Sequence, residues 1–218
     1  MILNLLKSLF GTSEPAAPQT GPLGLRIGAA VEVDTLRFRM MADQLKFELP
    51  GDTLFISAKG RVDLGDGSFV HRYYTDANTM FQILCVGGES DTHVKEVTLY
   101  VPYTSYYPEG GAWQEWEGRG GRLGLPSFKA DDDGTFYERI WFAEEPGWTA
   151  PVRFQERVLD GDGSVTVIGQ DVMLYGRQIP NGPGFGEYLL LAIEERDDGR
   201  SVEVMLGVDL DPGMFKII

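Results

Sequence analysis

From Arg26 onward the chain alternates apolar and polar residues with a period of two. Ile27, Ala29, Val31 and Val33 are interleaved with Arg26, Gly28, Ala30 and Glu32. Farther on, Leu54, Ile56, Ala58, Gly60, Val62 and Leu64 oppose Phe55, Ser57, Lys59, Arg61 and Asp63. Such alternation puts one set of side chains on each face of an extended strand, so these stretches are predicted to be β-strands buried on one side. Further strands are expected at residues 69–74, 80–86, 94–103, 135–142, 152–159, 164–175, 187–195 and 201–210. Helix is expected only at the amino terminus and in short turns within 34–43 and 108–117. With 28 Gly and 12 Pro to supply turns and no strand–helix–strand rhythm, the sequence predicts a mainly β (β-rich α+β) fold. Its architecture should be antiparallel sheets or barrels preceded by a short N-terminal amphipathic helix.

The clearest local structure is a hairpin around Gly65-Asp66-Gly67. If these three residues form the loop, Leu64 faces Ser68, Val62 faces Val70, Gly60 faces Arg72 and Ala58 faces Tyr74. Arg72 then lies on the apolar face, where a guanidinium needs a carboxylate, and Asp76, Glu138 and Glu156 are the candidates. His71, Arg72, Tyr73, Tyr74 and Asp76 form the densest polar and aromatic cluster of the chain. It reads either as a structural lock or as a ligand site. The segment 61–68 resembles 157–164, which points either to an internal duplication or to two hairpins that share turn chemistry.

The formal charge is −14, so capture of nucleic-acid phosphates is not expected, while a cationic partner suits the surface. One Cys leaves no internal disulfide and no thiolate metal cage. Cys85 lies in an apolar run and reads as a small core residue. His71 and His93 are the only histidines and lack the spacing of a zinc site. Asp160-Gly-Asp-Gly-Ser164 departs from a calcium loop, because Val165 stands where the turn requires Gly. Gly182-Pro-Gly-Phe-Gly186 precedes a strand and has no Lys, unlike a phosphate loop. The aromatic residues of 100–116 suit core packing, or stacking on a sugar or peptide. No catalytic residue, metal or cofactor is assigned.

At the amino terminus, Ile2, Leu3, Leu5, Leu6, Leu9 and Phe10 fall on one side of a helix, opposite Asn4, Lys7 and Ser8. Such a helix is too short to span a bilayer, but it can lie on a membrane surface or dock on a partner or on its own domain. Residues 11–22 read as a flexible tether. The expected organisation is therefore 1–22 as helix and tether and 23–218 as the β-rich body. If the body has two lobes, their boundary falls near 118–134. No secretory signal is recognised, so the expected location is cytoplasmic, with peripheral contact at the inner membrane.

Several phrases together resemble one family: the start ending Leu-Phe-Gly11, Pro22-Leu-Gly-Leu-Arg-Ile-Gly28, Leu64-Gly-Asp-Gly-Ser68, His71-Arg-Tyr-Tyr74, Gln82 with Gly87-Gly88, Tyr137-Glu-Arg139 with Trp141, and Pro151-Val-Arg-Phe-Gln-Glu156. The chain is similar to the YjfK-like family of bacterial proteins of unknown function. The resemblance implies a context, that of PspA-like membrane-remodelling proteins and small membrane proteins in envelope stress, but no catalytic residues. The leading expectation is a non-enzymatic cytoplasmic adaptor or scaffold contacting a membrane or a PspA-like partner. The rival is a small-ligand or enzyme site around His71, Arg72, Tyr74 and Asp76, suited to a cationic or sugar-like molecule and requiring a cavity beside Arg72.

Overall fold

A computed structural model describes residues 20–131, 133–180, 185–197 and 199–218. The predicted helix and the contact residues Ile2, Leu3, Leu5, Leu6, Leu9 and Phe10 lie outside the described residues. The strands are β1 (Ala30–Val33), β2 (Thr53–Gly65), β3 (Ser68–Thr75), β4 (Met80–Val86), β5 (Val94–Tyr106), β6 (Ser127–Lys129), β7 (Phe136–Arg139), β8 (Val152–Asp160), β9 (Val165–Gln178), β10 (Gly186–Arg196), β11 (Gly199–Asp209) and β12 (Phe215–Ile217). One short helix, α1 (Leu36–Met40), falls inside the segment 34–43, and the segment 108–117 holds a 3₁₀ helix, Gly110–Glu115. The chain is therefore mainly β, as predicted. The three-residue strands β6 and β12 escape sequence reading because each is too short to show a period.

Eight strands close on themselves in the order β2-β3-β4-β5-β11-β10-β9-β8, with β8 pairing back to β2, and every pair is antiparallel. This antiparallel barrel consists of two up-and-down meanders, β2–β5 and β8–β11, joined through β2–β8 and β5–β11. The two similar segments 61–68 and 157–164 thus open equivalent meanders. Arg61 faces Arg157 across β2–β8, with Gly60 opposite Val158 on one side and Val62 opposite Glu156 on the other, a two-fold pattern of pairing. The hairpin loops nevertheless differ in length: Gly65 pairs with Ser68 in the first, whereas Leu159 pairs with Val165 in the second.

The register Ala58–Tyr74, Gly60–Arg72 and Val62–Val70 is the predicted one, but the loop that produces it is not. Leu64 does not face Ser68; Gly65 does, across an irregularity between Asp63 and Gly65. Asp66 and Gly67 form a tight turn with φ of 50° and 73°, the paired left-handed conformations that suit the twist of a two-residue hairpin. The extra residue in β2 restores the register that a two-residue turn would otherwise shift.

A second irregularity, between Ile56 and Ala58, divides β2 functionally. Leu54 and Ile56 pack with Ala29 and Val31 in the main core, while Ala58 belongs to a separate cluster with Val158 and Ile168. The run that reads as one apolar face therefore serves two cores. The larger lies outside the barrel: Phe81, Ile83, Leu99, Leu191 and Val204 pack under Leu25, Phe38, Trp116, Phe128 and Tyr137. The barrel interior holds the Ala58 cluster and, separate from it, an inner core of Met80, Tyr100, Val172, Leu190 and Ala192. Strands β4 and β10, which contribute to both cores, are accordingly near-continuous in apolar residues.

Candidate functional site

Strand alternation divides the polar cluster predicted from sequence. Arg72 and Tyr74 point into the barrel, His71 and Tyr73 point to its outer side, and Asp76 lies in the turn after β3, where its Oδ1 accepts from the Phe55 N–H at 3.3 Å. Only Arg72 and Tyr74 therefore act together.

Arg72 is 4% exposed and Glu156 0%. Their Nη1 and Oε2 are 2.7 Å apart, which makes Glu156, from β8, the carboxylate that the buried guanidinium requires. Arg72 Nη1 also donates to Gln170 Oε1 at 2.7 Å and its Nε to Gln82 Oε1 at 3.0 Å. Tyr74 Oη donates to Glu156 Oε1 at 2.7 Å, and Gln170 Nε2 continues the network to Glu194 Oε1 at 2.9 Å. Five strands thus meet in one polar layer across the barrel interior. Burial alone would weaken the protonated form of Arg72, but the Glu156 charge outweighs it and holds the guanidinium above its ordinary range. Burial, reinforced by Glu156, pushes the Tyr74 phenol well above its usual range. Both shifts favour the protonated forms of Arg72 and Tyr74, in which each donates to Glu156.

Above the layer the barrel opens into a cavity of about 840 Å³. Tyr74 connects the two, since it both belongs to the network and lines the cavity. Ala58, Val158, Ile168 and Met205 supply apolar wall, and Asp160, Glu194, Arg196, Arg200 and Glu203 supply charge. This volume lies within the range of small-molecule sites, and such a mixture of apolar wall and few polar groups is typical of them. Of the predicted cluster only Tyr74 lines this cavity; Arg72 is enclosed by Glu156, Gln170 and Gln82.

On the outer side, His71 and Tyr73 have a different setting. The His71 ring is 2% exposed, and its Nε2 lies 3.1 Å from Glu89 Oε2 without hydrogen-bond alignment. Burial pushes the imidazole down, while Glu89 partly opposes the shift. Tyr73 is fully buried beneath Gly21, where a β-carbon would lie 1.8 Å from the phenolic oxygen. Cys85 is buried with the main core. Among the described residues no group of three or more His, Cys, Asp or Glu side chains could hold a metal ion.

Two polar centres escaped the sequence reading. Glu187, 0% exposed, accepts from the backbone N–H groups of Lys46 and Phe47, from Tyr137 Oη and from Arg177 Nε. Arg139 donates to the carbonyls of Gly124, Phe142, Glu145 and Gly147 and so ties the segment after β7 to the body. Tyr137-Glu-Arg139 carried the only sequence signal for either, and it did so as a family phrase without an assigned role.

The barrel, with its polar layer and open mouth, defines a β-barrel protein whose lineage the sequence comparisons identify. Residues 5–216 match a family described as proteins of unknown function, DUF2491, and the chain belongs to that family. It is 32% identical over 189 residues to the uncharacterised protein YjfK of Escherichia coli (strain K12), covering 86% of this chain and 84% of that protein. No solved structure matches the chain. No helix among the described residues is long and apolar enough to cross a membrane.

Proposed function

We propose that the protein is a non-enzymatic binding module, an adaptor in which the barrel mouth recognises a partner or ligand and the amino-terminal residues tether the body to a membrane or to a PspA-like protein. The observation that carries the recognition half is the cavity of about 840 Å³ above a polar layer whose hydrogen-bonding groups are already engaged with one another. A rigid floor of this kind keeps the mouth open without presenting a reactive group. Support for the tethering half comes from the apolar face of Ile2, Leu3, Leu5, Leu6, Leu9 and Phe10 and from the family context. Gly21, where the tether meets the body, packs against Tyr73 on the outer side of β3, whereas the mouth opens on the inner side. Tether and mouth can then act at once, and two weak contacts on one chain reinforce each other through effective concentration.

The test is liposome co-sedimentation of the full chain beside a chain beginning at Gly21, each with and without a PspA-like partner. Recruitment that disappears with the truncation supports the adaptor. Equal recruitment of both chains, or recruitment of neither, overturns the tethering half. Met205→Trp, which fills the mouth, is expected to abolish partner capture while leaving the melting temperature within a few degrees; unchanged capture overturns the recognition half.

A further inference from the structure

Resting on the reading of the mouth as a recognition site, we propose that it takes a cationic group, a protonated amine or guanidinium, carried on a short apolar chain. The argument starts from which charges in the mouth are already engaged. Arg196 donates through Nε and Nη2 to Glu194 Oε2, at 3.2 and 2.6 Å, so this pair is internally balanced. Arg200 also lines the mouth, but its guanidinium is engaged: it ion-pairs with Glu117 and lies over the Trp113 ring, 4.1 Å from its centroid. Glu203 accepts from the hydroxyl of Ser105, a neutral donor. Asp160 joins the turn through its backbone, with N–H donating to Ser164 O at 3.0 Å, and its carboxylate is left for other work. Among the described residues no cation comes within ion-pair distance of Asp160 or Glu203. Neither carboxylate therefore has an ion-pair partner, although Glu203 adds to the charges that hold the Arg196 guanidinium protonated.

The wall between them selects the rest of the ligand. Ala58, Val158, Ile168 and Met205 offer apolar surface that a bare, strongly hydrated ion would not cover, and that a short alkyl chain or an aliphatic side-chain stem would. An anion would meet the two carboxylates together with a net charge of −14, whereas a cation is drawn inward by both. The same chemistry is available from a free amine and from a lysine or arginine side chain of a partner protein, and the two sources are separable by experiment.

Calorimetric titration of the full chain with n-octylamine, n-octanol and octanoate tests the charge requirement. Octylamine is expected to bind at least tenfold more tightly than the other two and to weaken as salt is raised. Equal or tighter binding of octanol or octanoate overturns the proposal. Glu203→Gln, which keeps an acceptor for Ser105, and Asp160→Asn are each expected to weaken octylamine about tenfold, the loss of one charge-assisted contact. Unchanged affinity in both variants overturns the proposal. Acetyl-Leu-Lys-Leu-amide in place of octylamine distinguishes the sources: tighter binding of the peptide assigns the cation to a partner protein, and tighter binding of the free amine assigns it to a small molecule. Failure of the two ideas is distinguishable. If no amine binds while Met205→Trp abolishes partner capture, the recognition reading stands and this inference falls; if octylamine binds while Met205→Trp leaves capture intact, the reverse holds.

Discussion

The carboxylate of Glu156 occupies the space that a side chain at position 60 would fill: a β-carbon on Gly60 would lie 1.7 Å from Oε1 and 2.8 Å from Cδ. Because β2 and β8 are adjacent, the missing side chain in one strand is what admits the carboxylate of the other. Glu156 cannot step aside, since Arg72 holds Oε2 and Tyr74 holds Oε1. Gly60→Ala is therefore expected to lower stability by about 1–3 kcal/mol in urea unfolding, the usual cost of overfilling a packed interior. Adding Glu156→Ala should make the effect of Gly60→Ala smaller than in the parent, and additive losses would show that the two residues do not compete for space.

Arg72→Met leaves a carboxylate buried without its cation, which typically costs about 3–5 kcal/mol. The double variant Arg72→Met with Glu156→Gln leaves no buried charge and is expected to be more stable than Arg72→Met alone. Denaturant midpoints measure both; a double variant less stable than Arg72→Met would refute the pairing as the source of the loss.

Acid should act through His71. Burial depresses its proton affinity below the ordinary value of 6.5, with Lys59 and Arg61 adding to the effect and Glu89 opposing it. The unfolded chain then binds more protons than the folded one once the pH falls below about 6.5, so stability drops through that window towards the lower folded-state value. Melting temperature is expected to fall between pH 7.5 and pH 5.5 in the parent and to fall less in His71→Gln. Equal slopes would remove His71 from the account.

Arg139 has four carbonyl partners, at 2.7, 2.7, 3.0 and 2.5 Å, spread from Gly124 to Gly147. A lysine cannot span them, because its ammonium is a single point and the guanidinium a planar fork. Arg139→Lys is expected to cost about 2 kcal/mol and to expose the segment 140–150 to limited proteolysis. Cleavage at the parental rate would show that the segment is held by other contacts.

Leu6→Asp tests the amino-terminal face. Membrane recruitment is expected to be lost while the melting temperature of the body is nearly unchanged. A large fall in melting temperature would place this face in the core instead.

Much of the barrel was legible because alternation is a local property. The eight barrel strands are recovered in type and approximate place, and so is the pairing of Gly60 with Arg72. The family phrases were legible in the same way, since they need only residue order. What escaped were features that depend on a single extra residue or on a distant partner. The bulges of β2 change which core a side chain serves without disturbing the alternation that predicts it. Glu187 looked like the beginning of an ordinary strand, although Lys46, Phe47, Tyr137 and Arg177 all converge on it.

By itself the sequence determined the extended chain, the turns, the need of Arg72 for a carboxylate and the acidic character of the whole, because these follow from backbone preference, side-chain period and charge. The tertiary structure decided which carboxylate answers Arg72, that His71 and Tyr73 face away from Arg72 and Tyr74, and that Asp160, Glu194 and Glu203 share one mouth. Those outcomes depend on closure of β8 onto β2, which brings together residues more than 80 positions apart, such as Arg72 and Glu156. Pairing at that range is fixed by how two meanders bury a common interior, and no local stretch of sequence carries it.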